Sequence, residues 1–167
     1  YAVGKIPGGF NKREGKASEH AILTSRVIDR PMRPLFPKDY RNDVTLVNMV
    51  MAVDPECNPE IPAMLGSSIA TCISDIPFDG PCATTQVGLI NGEYIINPTM
   101  AQKDVSDLQL TVASTREKVI MIEAGAKEVP EDKMIEAIYK AHEVNQEIIK
   151  FIDKIVEECG KPKHSYE

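Results

Sequence analysis

Hydrophobic and polar positions alternate with different periods along the 167 residues and divide the chain into recognisable elements. Between Gly4 and Ala17 no period holds: Gly4, Pro7, Gly8, Gly9 and Gly15 interrupt a stretch carrying Lys12, Arg13 and Lys16, which predicts a basic loop. Ser18 then supplies a helix cap, with Glu19 at the positive end of the helix dipole. That helix is expected to run to about Arg30, with Pro31 and Pro34 ending it. Residues 42–53 are almost continuously apolar and β-branched, the pattern of a strand covered on both faces, and Asp54-Pro55 closes it. A second, buried helix is expected over 62–74, where Gly66, Ser67, Ser68 and Ala70 permit close approach to a sheet.

Strands at 84–90 and 93–96 flank Asn91-Gly92, the pair that a tight hairpin turn with two positive φ angles demands. A further hairpin joins 108–113 to 118–123. From Pro130 to Cys159 a long helix keeps a 3,4 apolar spacing through Met134, Ile138, Ala141, Ile148, Ile152 and Ile155, interrupted by Asn145, and Gly160 with Pro162 stops it. The order predicts an α+β fold, helices packed on a mixed β-sheet.

Composition narrows the classes. Hydrophobic residues make up 43% and charged residues 26%, which fits a folded globular domain, and aromatics are only 5%. No apolar run reaches the roughly 18 residues of a membrane helix, and residues 1–10 lack the apolar stretch of a signal peptide. A chain that opens on Tyr1 and runs straight into a Gly/Pro-rich segment is expected to be a fragment beginning inside a domain. Cys57, Cys72, Cys82 and Cys159 form no C-x-x-C pair, so they read as core fillers in a reducing, cytoplasmic setting rather than as zinc ligands. The net charge of −6 hides an asymmetry: residues 1–41 hold nine basic against four acidic residues, leaving ten basic against twenty-one acidic in the rest. One basic end can therefore attract an anionic partner although the whole chain is acidic.

Neither G-x-x-x-x-G-K-[ST] nor G-x-G-x-x-G occurs. Phe10-Asn11-Lys12-Arg13 places an aromatic ring beside two cations in a glycine-flanked loop, the combination with which proteins stack on bases and contact phosphates of single strands; a solvated basic turn has the same composition. Arg26 and Arg30 are one helical turn apart, with Arg33 a third cation if helical geometry persists past Pro31, while Leu23, Val27 and Ile28 point to the other side. Phosphate binding, a subunit contact and pairing with Asp29 are all compatible with that arrangement. His20, His142 and His164 have no evident catalytic partner, and Asp104 with Asp107 suits either a metal or an ordinary turn.

The segments Phe10-Asn11-Lys12-Arg13-Glu14-Gly15-Lys16-Ala17-Ser18-Glu19 and Arg26-Val27-Ile28-Asp29-Arg30-Pro31-Met32-Arg33-Pro34-Leu35-Phe36-Pro37 resemble the bacterial polynucleotide phosphorylase family, specifically the first of its two RNase PH-like cores. The likeness continues through Asn42-Asp43-Val44, the 74–81 turn and the last helix. It implies an RNase PH-like core over 1–160 whose N-terminal strands are missing, with 161–167 entering the linker to an α-helical domain. It also implies a homotrimeric ring, completed by KH and S1-type modules and open to RNA-degradation partners, that takes single-stranded RNA 3′ end first and uses inorganic phosphate, with Mg²⁺ or Mn²⁺, to release nucleoside diphosphates reversibly.

On the same resemblance Phe10, Lys12, Arg13, Lys16, Arg26, Arg30 and Arg33 are the RNA-binding candidates, and no catalytic or metal-binding residue is expected in this core. The family's second core carries a serine run and paired aspartates. The matching stretches here read Asn58-Pro59-Glu60 and Met100-Ala101-Gln102-Lys103-Asp104-Val105-Ser106-Asp107, where Asp107 persists and Ala101 replaces its partner. The loop, usually Phe-Phe-Arg-Arg, has Asn11 at its second position. A non-catalytic RNA-binding ring subunit of the exosome type shares the fold and is the alternative.

Overall fold

The computed structural model describes residues 16–166 and, of those before, the backbone of two short strands, β1 (Ile6–Pro7) and β2 (Arg13–Glu14), which pair in parallel. The other elements are α1 (Glu19–Met32), a 3-10 turn (Arg33–Leu35), α2 (Glu60–Ile73), β3 (Ala83–Ile90), β4 (Glu93–Ile96), α3 (Met100–Val105), β5 (Leu108–Ser114), β6 (Val119–Ala126) and α4 (Glu131–Cys159). The larger sheet has the order β4-β3-β5-β6 with every neighbour antiparallel, so the expected α+β class holds and the parallel pairing is confined to β1 and β2.

Asn91 and Gly92 turn the β3–β4 hairpin with φ of 50° and 80°, a conformation that favours asparagine and glycine because other side chains crowd the following carbonyl. Across the sheet, Val87, Leu89, Leu108, Leu110 and Val112 form a buried face. α4 crosses it on Ala137 and Ala141, both fully buried, whose lack of bulk lets the helix axis approach closely. Asn145 follows one turn later, also fully buried, and its carboxamide ties the helix to two strands: Thr85 Oγ1 donates to its Oδ1 at 2.6 Å, and its Nδ2 donates to Val112 O at 3.1 Å and Ser114 Oγ at 2.8 Å. The polar break in the apolar stripe is thus a satisfied polar core.

A second apolar cluster joins Ile28 and Met32 of α1 to Met64 of α2 and Cys82 at the entry to β3, with Leu35, Phe36 and Phe78 against it. α1 passes through Pro31 before ending at Met32: a proline in the last turn forfeits one backbone bond, and Arg33 N–H still donates to Asp29 O. Burial raises the thiol pKa of Cys72 to about 11 and that of Cys82 as well, so both are inert space-fillers; Cys57 and Cys159, read from sequence as core, are exposed instead.

Residues 42–53 do not form the expected doubly covered strand. Leu46, Val47, Met49, Met51 and Val53 are between 37% and 73% exposed. Among the described residues the segment makes no backbone–backbone hydrogen bond, its Asn48 side chain accepting from Ser67 Oγ at 3.1 Å. The composition of a central strand is present, and the neighbour that would pair with it is not among the described residues.

After Gly160 the chain folds back along α2. Lys161 N–H donates to Ile73 O at 3.0 Å and His164 N–H to Asp75 O at 2.8 Å. Lys163 Nζ reaches Thr71 O, Cys72 O and Ser74 O at 3.1, 3.0 and 2.7 Å, so its ammonium caps the negative end of α2. Lys163→Met is expected to remove about 1 kcal/mol, a drop of about 2–4 °C in melting temperature for a domain of this size, measurable by calorimetry.

Candidate nucleic-acid interface

The arginine-bearing segment is built from its apolar positions outward. Ser18 Oγ accepts from Ala21 N–H at 3.1 Å and starts α1. Glu60 of α2 then takes hold of the helix, with His20 Nε2 at 2.9 Å and Thr24 Oγ1 at 3.1 Å from its Oε1. Ile28, Pro31 and Met32 are buried, and Phe36 packs on Phe78 with ring centroids 5.0 Å apart. Asp79 N–H donates to Leu35 O at 2.8 Å and pins the end of the motif. Of the three apolar residues expected beneath the arginines, Ile28 is buried and Val27 half-buried, whereas Leu23 is 58% exposed.

That frame leaves the cations outside. Arg26 and Arg30 are exposed one turn apart on α1, and neither forms an ion pair among the described residues. Arg33 differs: its guanidinium forms a two-pronged pair with Asp29, Nε to Oδ2 at 3.0 Å and Nη2 to Oδ1 at 2.8 Å. Two cations are therefore available to an anion from this helix and the third already has a carboxylate. Lys16 is exposed ahead of the cap, and Lys38 and Arg41 are exposed beyond the motif. Arg13 lies on β2, its backbone paired to Ile6. Phe10 and Lys12 lie outside the described residues.

Asp107 is exposed at the start of β5; its N–H donates to Leu89 O and its carbonyl accepts from Lys127 N–H, both at 2.9 Å. Among the described residues no three His, Cys, Asp or Glu side chains stand together as metal ligands, and no step is assigned to a metal here. His142 is half-buried on α4 with its Nε2 3.3 Å from Gln146 Nε2. Sequence reasoning passed over Lys163, whose capping of α2 depends on a fold-back that no local pattern announces.

Two models of one family cover most of the chain: "3′ exoribonuclease family, domain 1" matches residues 1–77 and domain 2 of the same family matches residues 80–144. The chain belongs to the 3′ exoribonuclease family. Similar proteins include the polyribonucleotide nucleotidyltransferase of Lachnoclostridium phytofermentans, 81% identical over 166 residues, which are 99% of this chain and 24% of that protein. That of Shouchella clausii is 61% identical over 163 residues, 98% of this chain and 23% of that protein. The chain thus spans about a quarter of the length of these curated relatives. A solved structure of rice (Oryza sativa) Rrp46 superposes with a TM-score of 0.66 at 11% identity, covering 86% of this chain and 68% of that one, a likeness of fold. Among the described residues no helix is long and apolar enough to cross a membrane.

Proposed function

We propose that this chain is the first RNase PH-like core of a phosphorolytic 3′-to-5′ exoribonuclease, and that its part is to supply RNA-path and subunit contacts in a homotrimeric ring. The observation that carries this reading is the 81% identity, along 99% of the chain, to a polyribonucleotide nucleotidyltransferase. The exposed pair Arg26 and Arg30, held beside a basic segment by a buried apolar underside, supports the RNA role. Lys16, Arg13, Lys12 and Phe10 belong to the same proposed path and Arg33 to its margin. In the proposed reaction an oxygen of inorganic phosphate bonds to the phosphorus of the terminal phosphodiester, the bond from that phosphorus to the 3′ oxygen breaks, and the shortened RNA keeps the 3′ oxygen as a hydroxyl. Mg²⁺ or Mn²⁺ and the residues that hold it are assigned to the second core, in a cytoplasmic enzyme.

The domain assignment, 1–160 for the core and 161–167 for the linker entry, is part of the same proposal. It is supported by the cluster that unites Ile28, Met32 and Met64 with Cys82, since these come from the two halves that separate family models match. The natural-length protein incubated with poly(A), phosphate and Mg²⁺ is expected to release ADP, whereas the 167-residue chain alone releases none. Phosphate-independent release of AMP by the natural-length protein would overturn the reading.

A further inference from the structure

The sheet has a polar face that the proposed RNA path leaves unused. Strand register places Gln86, Thr111 and Glu123 side by side across β3, β5 and β6, and two residues further along it aligns Gly88, Gln109 and Gly125 on the same side. All of these but Gly88, together with Lys103 of α3, line a cavity of about 320 Å³, the lower end of the range that small-ligand sites occupy. The side chains of Gln86, Gln109, Thr111, Glu123 and Lys103 have no hydrogen-bond or ion-pair partner among the described residues. Five polar groups thus converge on one space without being used by the fold.

The floor is shaped by what its glycines lack. Gly88 is itself covered: a Cβ there would stand 3.1 Å from Ser106 Oγ and 3.4 Å from Pro98 Cγ, so the row is closed at that end. A Cβ on Gly125 would meet nothing within 4 Å and would project into open space. A flat ring can therefore settle over Gly125, beside Gln109.

We propose that this cavity binds an adenine nucleotide, with the base over Gly125 beside Gln109 and the phosphates toward Lys103. The carboxamides of Gln109 and Gln86 offer the paired donor and acceptor that match an adenine edge. Glu123 accepts from the exocyclic amine, and Lys103 neutralises phosphate. A bare anion meets Glu123 as well as Lys103 and is disfavoured, so the site selects a ligand with a donor at one end and negative charge at the other. The inference shares with the function proposed above only the compound class, and it concerns a different surface.

The test is photolabelling of the natural-length protein with 2-azido-ADP, followed by peptide mapping. Label is expected on peptides from β5 and β6, displaced by excess ADP and not by inorganic phosphate. Gly125→Val fills the open floor with a residue suited to a strand and should cut that labelling at least about tenfold, as should Gln109→Leu, the size expected when a bidentate pairing to a base is removed. Gly125→Ala should retain it. Label found only elsewhere, or undiminished β5 and β6 labelling in a folded Gly125→Val or Gln109→Leu protein, overturns the site. Phosphorolysis measured on the same samples keeps the two proposals apart: its absence with β5 and β6 labelled defeats only the enzymatic reading, and its presence without that label defeats only this one.

Discussion

Asn145→Leu is expected to lower the free energy of unfolding by about 3 kcal/mol or more, read as a shift of the urea midpoint at unchanged slope. The two side chains branch alike, so the loss comes mainly from what the carboxamide leaves behind. Thr85 Oγ1 and Ser114 Oγ are each deprived of a partner at a site from which water is excluded, while Val112 O, on a strand paired at both edges, loses one of two. A buried polar group without a partner costs about 1–3 kcal/mol, and two hydroxyls are orphaned at once. Adding Thr85→Val to Asn145→Leu should recover part of the loss, since both ends of one bond are then apolar. A single and a double variant of equal stability would mean that the network carries no net coupling between α4 and the sheet.

In the natural-length protein, Arg26→Gln together with Arg30→Gln should flatten the salt dependence of single-stranded RNA binding by about 1.4 in log-log slope, about 0.7 for each phosphate no longer neutralised. The effect grows as salt falls: the variant's deficit relative to wild type should be about 25-fold larger at 0.1 M than at 1 M. Arg33→Gln is the internal comparison. Its guanidinium and the carboxylate of Asp29 are 76% and 47% exposed as side chains, so their pair contributes less than about 1 kcal/mol to stability, and the RNA slope should barely change. An unchanged slope in the Arg26 and Arg30 variant would show that the helix faces something other than nucleic acid.

The elements most legible in the sequence are those whose signal is local. Asn91-Gly92 determines the β3–β4 hairpin because positive φ at two successive residues has few chemical solutions, and the 3,4 spacing of α4 survives over eight turns. α3 is not foreseen although Thr99 and Gln102 form a capping box, Gln102 N–H donating to Thr99 Oγ1 at 3.3 Å and Thr99 N–H to Gln102 Oε1 at 3.0 Å. The carboxylates Asp104 and Asp107 suit a turn equally well and mask that short helix. Residues 42–53 carry the composition of a strand, but a strand also needs a neighbour, which composition does not reveal.

For the candidate interface, spacing places Arg26 and Arg30 outside the apolar cluster, as the structure has them. It does not decide between an anion and Asp29 for Arg33, because both need the same i, i+4 geometry. The polar cavity is beyond local reading altogether. Gln86, Thr111 and Glu123 become neighbours only through the register of three strands, and nothing within any one of them marks the row.

The exposed segment 42–53 also has a colloidal consequence. Between Asp43 and Asp54 there is no charge and no proline to keep one extended backbone from adding to another. Among the described residues its N–H and C=O groups have no backbone partner, and with solvent-facing Val47, Met49 and Met51 beside them they present an adhesive seam. The solubility of the 167-residue chain is expected to follow this seam more than its net charge of −6, so a strand laid along it would act as a solubilising cover as much as a structural addition.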